Sequence, residues 1–100
     1  MTASSQEEAK TIASQLIEQR LAACVNLFPV HSIYRWNDGV CNDDEWQLII
    51  KTDLKKFPAL QEQAIAIHSY DVPELIAIPI VQGYEPYLQW VTQEVQGETR

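Results

Sequence analysis

The sequence predicts an α+β domain with the element order α-β-β-α-β-α. Three observations carry that expectation. An apolar stripe of helical period opens the chain, and two β-rich runs flank Asn37-Asp38-Gly39. A nearly all-apolar run, Pro73–Val81, then sits between two further helical patterns. With 100 residues, 46% of them hydrophobic, the chain makes one globular domain spanning residues 1–100.

Ser5 reads as the N-cap of the first helix, and Glu8, three residues on, as its capping-box partner. Ala9, Ile12, Ala13, Leu16 and Ile17 then form one stripe on a helix of about Gln6–Arg20. LAACVNLFPV, residues 21–30, is rich in small and β-branched residues and reads as a strand, which SIYRW (32–36) extends. Asn37-Asp38-Gly39 is a hairpin signal. The return strand is EWQLIIKT (45–52), where Trp46, Leu48 and Ile50 alternate with Gln47, Ile49 and Lys51. A second helix runs from about Lys55 to Ile67, with Phe57, Leu60, Ala64 and Ile67 on one face and Pro58 in its first turn. Pro73–Val81 reads as a short strand covered on both faces, with Pro79 near an edge or the strand's end. Gly83 breaks the chain, and Pro86 opens a last helix.

One strand placed in front would turn this order into βαββαβ plus a terminal helix, the ferredoxin-like pattern. A crossover helix joins two parallel strands, yet the first helix has a strand only behind it. The expected fold is therefore a ferredoxin-like sandwich lacking most of its first strand. That strand would lie between the strands at 45–52 and 73–81, and its loss would leave two rows of backbone polar groups facing a gap. Three remedies are open: a start further upstream, closure of the two strands on each other, or a segment from another chain. The upstream start is the expectation.

Seven Lys and Arg against fourteen Asp and Glu give a net charge of −7. That balance argues against nucleic acid or an anionic membrane as partner, since both need a basic face. Residues 1–10 hold no apolar signal core, and no apolar run reaches the length of a membrane span. The expected location is cytoplasmic, with Cys24 and Cys41 as reduced thiols.

No catalytic constellation emerges. Cys24, between Ala23 and Val25, reads as a small core hydrophobe. Cys41 precedes Asn42, Asp43, Asp44 and Glu45; thiolate and carboxylates would suit a metal, but the stretch reads better as a solvated loop. His31 and His68 each lack a second His or Cys at i+2, i+3 or i+4. What stands out is aromatic: Tyr34, Arg35 and Trp36 crowd the hairpin tip, opposite Trp46. Strand alternation leaves part of that set outside the chain's own core, which points to a protein interface.

LAACVNLFPVHSIYRW, EWQLIIKT, YDVPELIAIPI and GYEPYLQWV together resemble the CutA family of divalent-cation tolerance proteins, over about Thr2 to Val95. The resemblance implies a ferredoxin-like subunit in a tight homotrimer, with sheets facing inward and clefts between subunits. It implies a role in tolerance of copper and other divalent cations, with no enzymatic reaction and no required cofactor. Cys24, Tyr34, Trp36, Lys51, Tyr70, Pro73, Glu74, Tyr87 and Trp90 match its shared positions. Tyr34, Trp36, Lys51, Tyr70, Glu74 and Trp90 are thus the candidate cleft residues for a small ligand or metal. A copper site proposed in some members uses a cysteine and a histidine pair; those places fall here at Met1 and at Ile67-His68. Only His68 survives, with Cys24 as the other weak metal candidate, so copper binding is expected to be weak. The alternative function is an enzyme acting on a small molecule in the same cleft, with Lys51, Glu74 and a tyrosine as acid–base groups.

Overall fold

The computed structural model describes residues 1–97. Its backbone is dominated by one long hairpin, strands β2 (Cys24–Trp36) and β3 (Gly39–Lys51). They pair antiparallel from Cys24 opposite Lys51 to Trp36 opposite Gly39. Asn37 and Asp38 link them with φ of 51° and 63°. Positive φ at both central residues is what a type I′ turn requires, and its twist matches that of the strands. Pro29 sits within β2 without ending it, because β2 is an edge of the sheet. Cys41, expected in a loop, is a β3 residue opposite Tyr34, because the turn is only two residues long.

Strand β1 (Thr2–Ala3) completes a sheet ordered β1-β3-β2, with Thr2 opposite Gln47 and Ala3 opposite Trp46. The Leu48 N–H donates to the Met1 carbonyl at 2.6 Å, which adds a rung. Helix α1 (Gln6–Glu18) follows. The Ser5 hydroxyl caps it by accepting from the Glu8 N–H at 3.1 Å. Glu8 answers one residue further back than expected, accepting from the Ser4 N–H at 2.9 Å and the Ser4 hydroxyl at 2.7 Å. The helix stops two residues before the expected Arg20. Arg20 adopts φ of 57°, and the Arg20 and Leu21 N–H groups donate back to Ile17 and Leu16. This is a Schellman-type end that usually carries glycine.

Ala9, Ile12, Ala13 and Leu16 are the buried face of α1. They pack in one cluster with Leu48 and with Leu60 and Ala64 of helix α2 (Phe57–Ile67). Val25, Leu27, Trp46 and Ile50 close against it. Register pairs Val25 with Ile50, Leu27 with Leu48 and Pro29 with Trp46, so these residues share the helix-covered face of the sheet. Phe28, Gln47, Ile49, Tyr34 and Trp36 belong to the other face, where Phe28, Tyr34, Trp36 and Ile49 are exposed. The alternation expected for Trp46, Leu48 and Ile50 is met.

Residues 73–81, expected as a strand, form none. The segment leaves α2 through a bend at Ser69–Val72 and runs without ladder partners to helix α3 (Glu85–Val95). Ile78 and Val81 are 80% and 88% exposed, and Val72, Ile76 and Ile80 are exposed too. The reason is geometric. A strand here would pair with β1, and β1 offers only two residues. Helix α3 buries Val91 and Val95, and the Arg20 guanidinium donates to the Glu94 carbonyl at 2.9 Å.

Candidate functional site

Where the bend at 69–72 passes the hairpin, the chain leaves a cleft of about 620 Å³. Tyr34, Trp36, Glu45, Tyr70 and Glu74 are among its walls, with Thr2 at its base. Four of the six candidate cleft residues therefore meet: Tyr34, Trp36, Tyr70 and Glu74. Lys51 and Trp90 do not. Lys51 is at the far end of β3, opposite Cys24, and Trp90 lies on α3 beside Tyr87, ring centroids 5.6 Å apart. Lys51 and Glu74 accordingly form no pair; Glu74 Oε2 stands 3.5 Å from the Met1 nitrogen instead.

The hairpin positions the first wall. Ser32 pairs with Asp43 and Tyr34 with Cys41, so Tyr34 and Trp36 share a sheet face with Asp43 and Glu45. The Tyr34 hydroxyl donates to Asp43 Oδ2. That bond to a carboxylate holds the phenol proton, and the Tyr34 pKa is pushed up to about 12.

The second wall is set by a chain of hydrogen bonds running from α1. The Ser69 N–H donates to Glu8 Oε2 at 2.7 Å, which fixes the bend to the helix N-terminus. Burial pushes the Glu8 carboxyl up, but hydrogen bonds from Ser4 and Ser69 outweigh it and bring the pKa down to about 2. The Tyr70 N–H donates to His68 Nδ1 at 3.0 Å, so in the neutral ring the proton is on Nε2, which meets the Thr2 carbonyl at 2.8 Å. The His68 ring lies 4.8 Å from that of Tyr70. The Tyr70 hydroxyl then donates to Glu45 Oε2 at 2.7 Å. Burial first, and that bond second, raise the Tyr70 pKa well above the ordinary phenol value.

Both phenols keep their protons at neutral pH and spend them on carboxylates, which suits binding better than base catalysis. His68 has both nitrogens engaged, and Cys24 opens β2 at the far end of the hairpin, half-buried; the two weak metal candidates are not brought together. Among the described residues, no three His, Cys, Asp or Glu side chains converge as a metal site. Sequence reading missed Glu45, Asp43 and Glu8 as site-building groups. The signal for Glu45 and Asp43 was the hairpin register, which puts them on the face of Tyr34 once the turn is fixed at two residues.

A family model described as CutA1 divalent ion tolerance protein matches residues 1–94. The chain belongs to that family. A Thermus thermophilus divalent-cation tolerance protein CutA is 48% identical over 94 residues, which cover 93% of this chain and 91% of that one. The solved structure of the Archaeoglobus fulgidus CutA, described as periplasmic, is similar with a TM-score of 0.94 at 41% identity, covering 95% and 93% of the two chains. A chloroplastic CutA of Arabidopsis thaliana is 42% identical over 98 residues, 97% of this chain but 54% of the plant protein. No helix among the described residues is long and apolar enough to cross a membrane.

Proposed function

We propose that this chain is a non-enzymatic protein of divalent-cation tolerance. In this reading it works in the cytoplasm as a homotrimer, holds a small ligand or divalent ion in clefts at its subunit boundaries, and relays that state to a partner. One observation carries the reading: the segment from Val72 to Val81 is nearly all apolar, lacks a ladder partner, and begins as the rim of the cleft. Burying one such Ile or Val contributes about 1.5–3 kcal/mol, so several left in water favour association. A neighbouring copy that covers the segment also finishes the cleft. Names of the similar proteins supply the physiological context, tolerance of divalent cations. The acid–base alternative loses ground because Lys51 is remote from Glu74 and both cleft phenols hold their protons.

A growth assay tests this reading. Cells deleted for the gene should lose growth at raised Cu²⁺ and recover it with the wild-type chain but not with Trp36→Ala. Equal growth of deleted and complemented cells over a series of divalent ions would refute it.

A further inference from the structure

We propose that the cleft between the hairpin and the 69–74 bend takes a small organic cation bearing N–H donors, a primary ammonium or a guanidinium, in preference to a metal ion or an anion. The inference rests on reading this cleft as the ligand site and specifies what enters it.

Three features select that chemistry. The first is the balance of the walls. Tyr34, Trp36 and Tyr70 are aromatic, Glu45, Asp71 and Glu74 are acidic, and among the described residues no Lys, Arg or His side chain lines the space, the nearest cation being the Met1 nitrogen 3.5 Å from Glu74. Aromatic faces and carboxylates both attract cations, most strongly where water is partly excluded.

The second is the direction of the hydrogen bonds. Tyr34 and Tyr70 both give their hydroxyl protons away, to Asp43 and Glu45. Their oxygens are left to the cleft as acceptors. Such a wall asks its ligand for donors and offers an anion almost nothing.

The third is Glu45 itself. It is only 7% exposed, and Tyr70 occupies one of its carboxylate oxygens. Its other oxygen has no hydrogen-bond partner among the described residues, yet no enclosed side-chain oxygen there goes unpaired. That oxygen therefore reaches the cleft. That oxygen is open on a residue otherwise shielded from water, so an ammonium or guanidinium N–H entering the cleft meets a charged acceptor already in place. A soft metal would want imidazole or thiolate, but both His68 nitrogens are engaged, Cys24 is at the other end of β2, and Cys41, opposite Tyr34, is not among the residues that line the cleft.

The full chain, in its solution assembly, would be titrated with agmatine, tetramethylammonium, Mn²⁺, Cu²⁺ and inorganic phosphate, each alone, and followed by amide and indole NMR shifts. Agmatine should shift Tyr34, Trp36 and Tyr70 saturably and bind at least tenfold tighter than tetramethylammonium, which has no N–H. Glu45→Gln should weaken it at least tenfold. Glu74→Gln, on the exposed rim, should weaken it at least threefold with the circular dichroism of the subunit kept, and Glu62→Gln on α2 should not change it. If Mn²⁺, Cu²⁺ or phosphate shifts these residues and agmatine does not, the organic cation is wrong while the cleft stands as a ligand site. If no probe shifts them, the ligand class and the cleft reading fall together. Agmatine binding that is indifferent to Glu74→Gln and Glu45→Gln also overturns the proposal.

Discussion

The hairpin and the segment from Val72 to Val81 are both rich in apolar residues, yet they end in opposite states. Every residue from Cys24 to Trp36 has a partner across the sheet, supplied by its own neighbour in sequence through a two-residue turn. Residues 73–81 have none, and their isoleucines point into solvent. Apolar content thus marks what must be buried, while pairing depends on whether a neighbour of matching length is in reach. A hairpin carries its partner with it. A strand that depends on a distant one does not, and here the distant strand, β1, is only two residues long.

Substitutions in the two regions should break different things. The largest effect is expected from Ile78→Asp. If a neighbouring copy covers the segment, the change loses about 1.5–3 kcal/mol of apolar burial per protomer and also buries a carboxylate. Size exclusion with light scattering should then find monomer where the parent assembles, with the circular dichroism of the subunit kept. Leu48→Ala, within the hairpin and the core, should instead cost about 2–5 kcal/mol of subunit stability by leaving a cavity beside Ile12 and Leu60, measured by urea unfolding. An Ile78→Asp chain that stays assembled would erase the distinction between the two regions.

The sequence made the hairpin, the three helices and the centre of the buried faces of the first two legible, because those depend on local signals: the Asn37-Asp38 turn, the Ser5 cap and the period-two alternation of Trp46, Leu48 and Ile50; Ile17, at the edge of the expected α1 stripe, is exposed. It misread Pro73–Val81 because an apolar run reports a demand for burial without saying which chain meets it. Within the site, Tyr34, Trp36, Tyr70 and Glu74 were recognisable. Glu45 and Asp43 were hidden inside a run of acids that looks like a solvated loop until the register assigns alternate residues to one face. Lys51 and Trp90 were expected in the cleft on the resemblance alone, and nothing local in the sequence says where the fold puts them.

Smaller effects sharpen the account of how the cleft is held. Ser5→Ala should remove about 1 kcal/mol through the lost cap. Glu8 has its folded pKa lowered from the usual 4.5 to about 2, so its contribution is complete above pH 4.5 and is lost as the pH falls toward 2. Acid unfolding curves of the parent and of Glu8→Gln should converge over that window, and parallel curves would show that the Glu8 link to Ser69 contributes nothing. The smallest effect belongs to His31, exposed on the hairpin with Nδ1 2.9 Å from Asp44 and Nε2 3.2 Å from Asn42. Its hydrogen bond to Asp44, followed by that to Asn42, raises its pKa above 6.5. Any stability it lends is full at pH values below 6.5 and fades as the pH rises past the folded value. An NMR titration should place His31 above 6.5 in the parent and lower in Asp44→Asn.

The most direct test of the central claim, that other copies of the chain complete what the subunit leaves open, is sedimentation equilibrium of the wild-type protein at micromolar concentration. The account predicts a single species of three chain masses, since a head-to-tail contact repeated three times closes on itself. A monomer of 11.4 kDa at that concentration would contradict it.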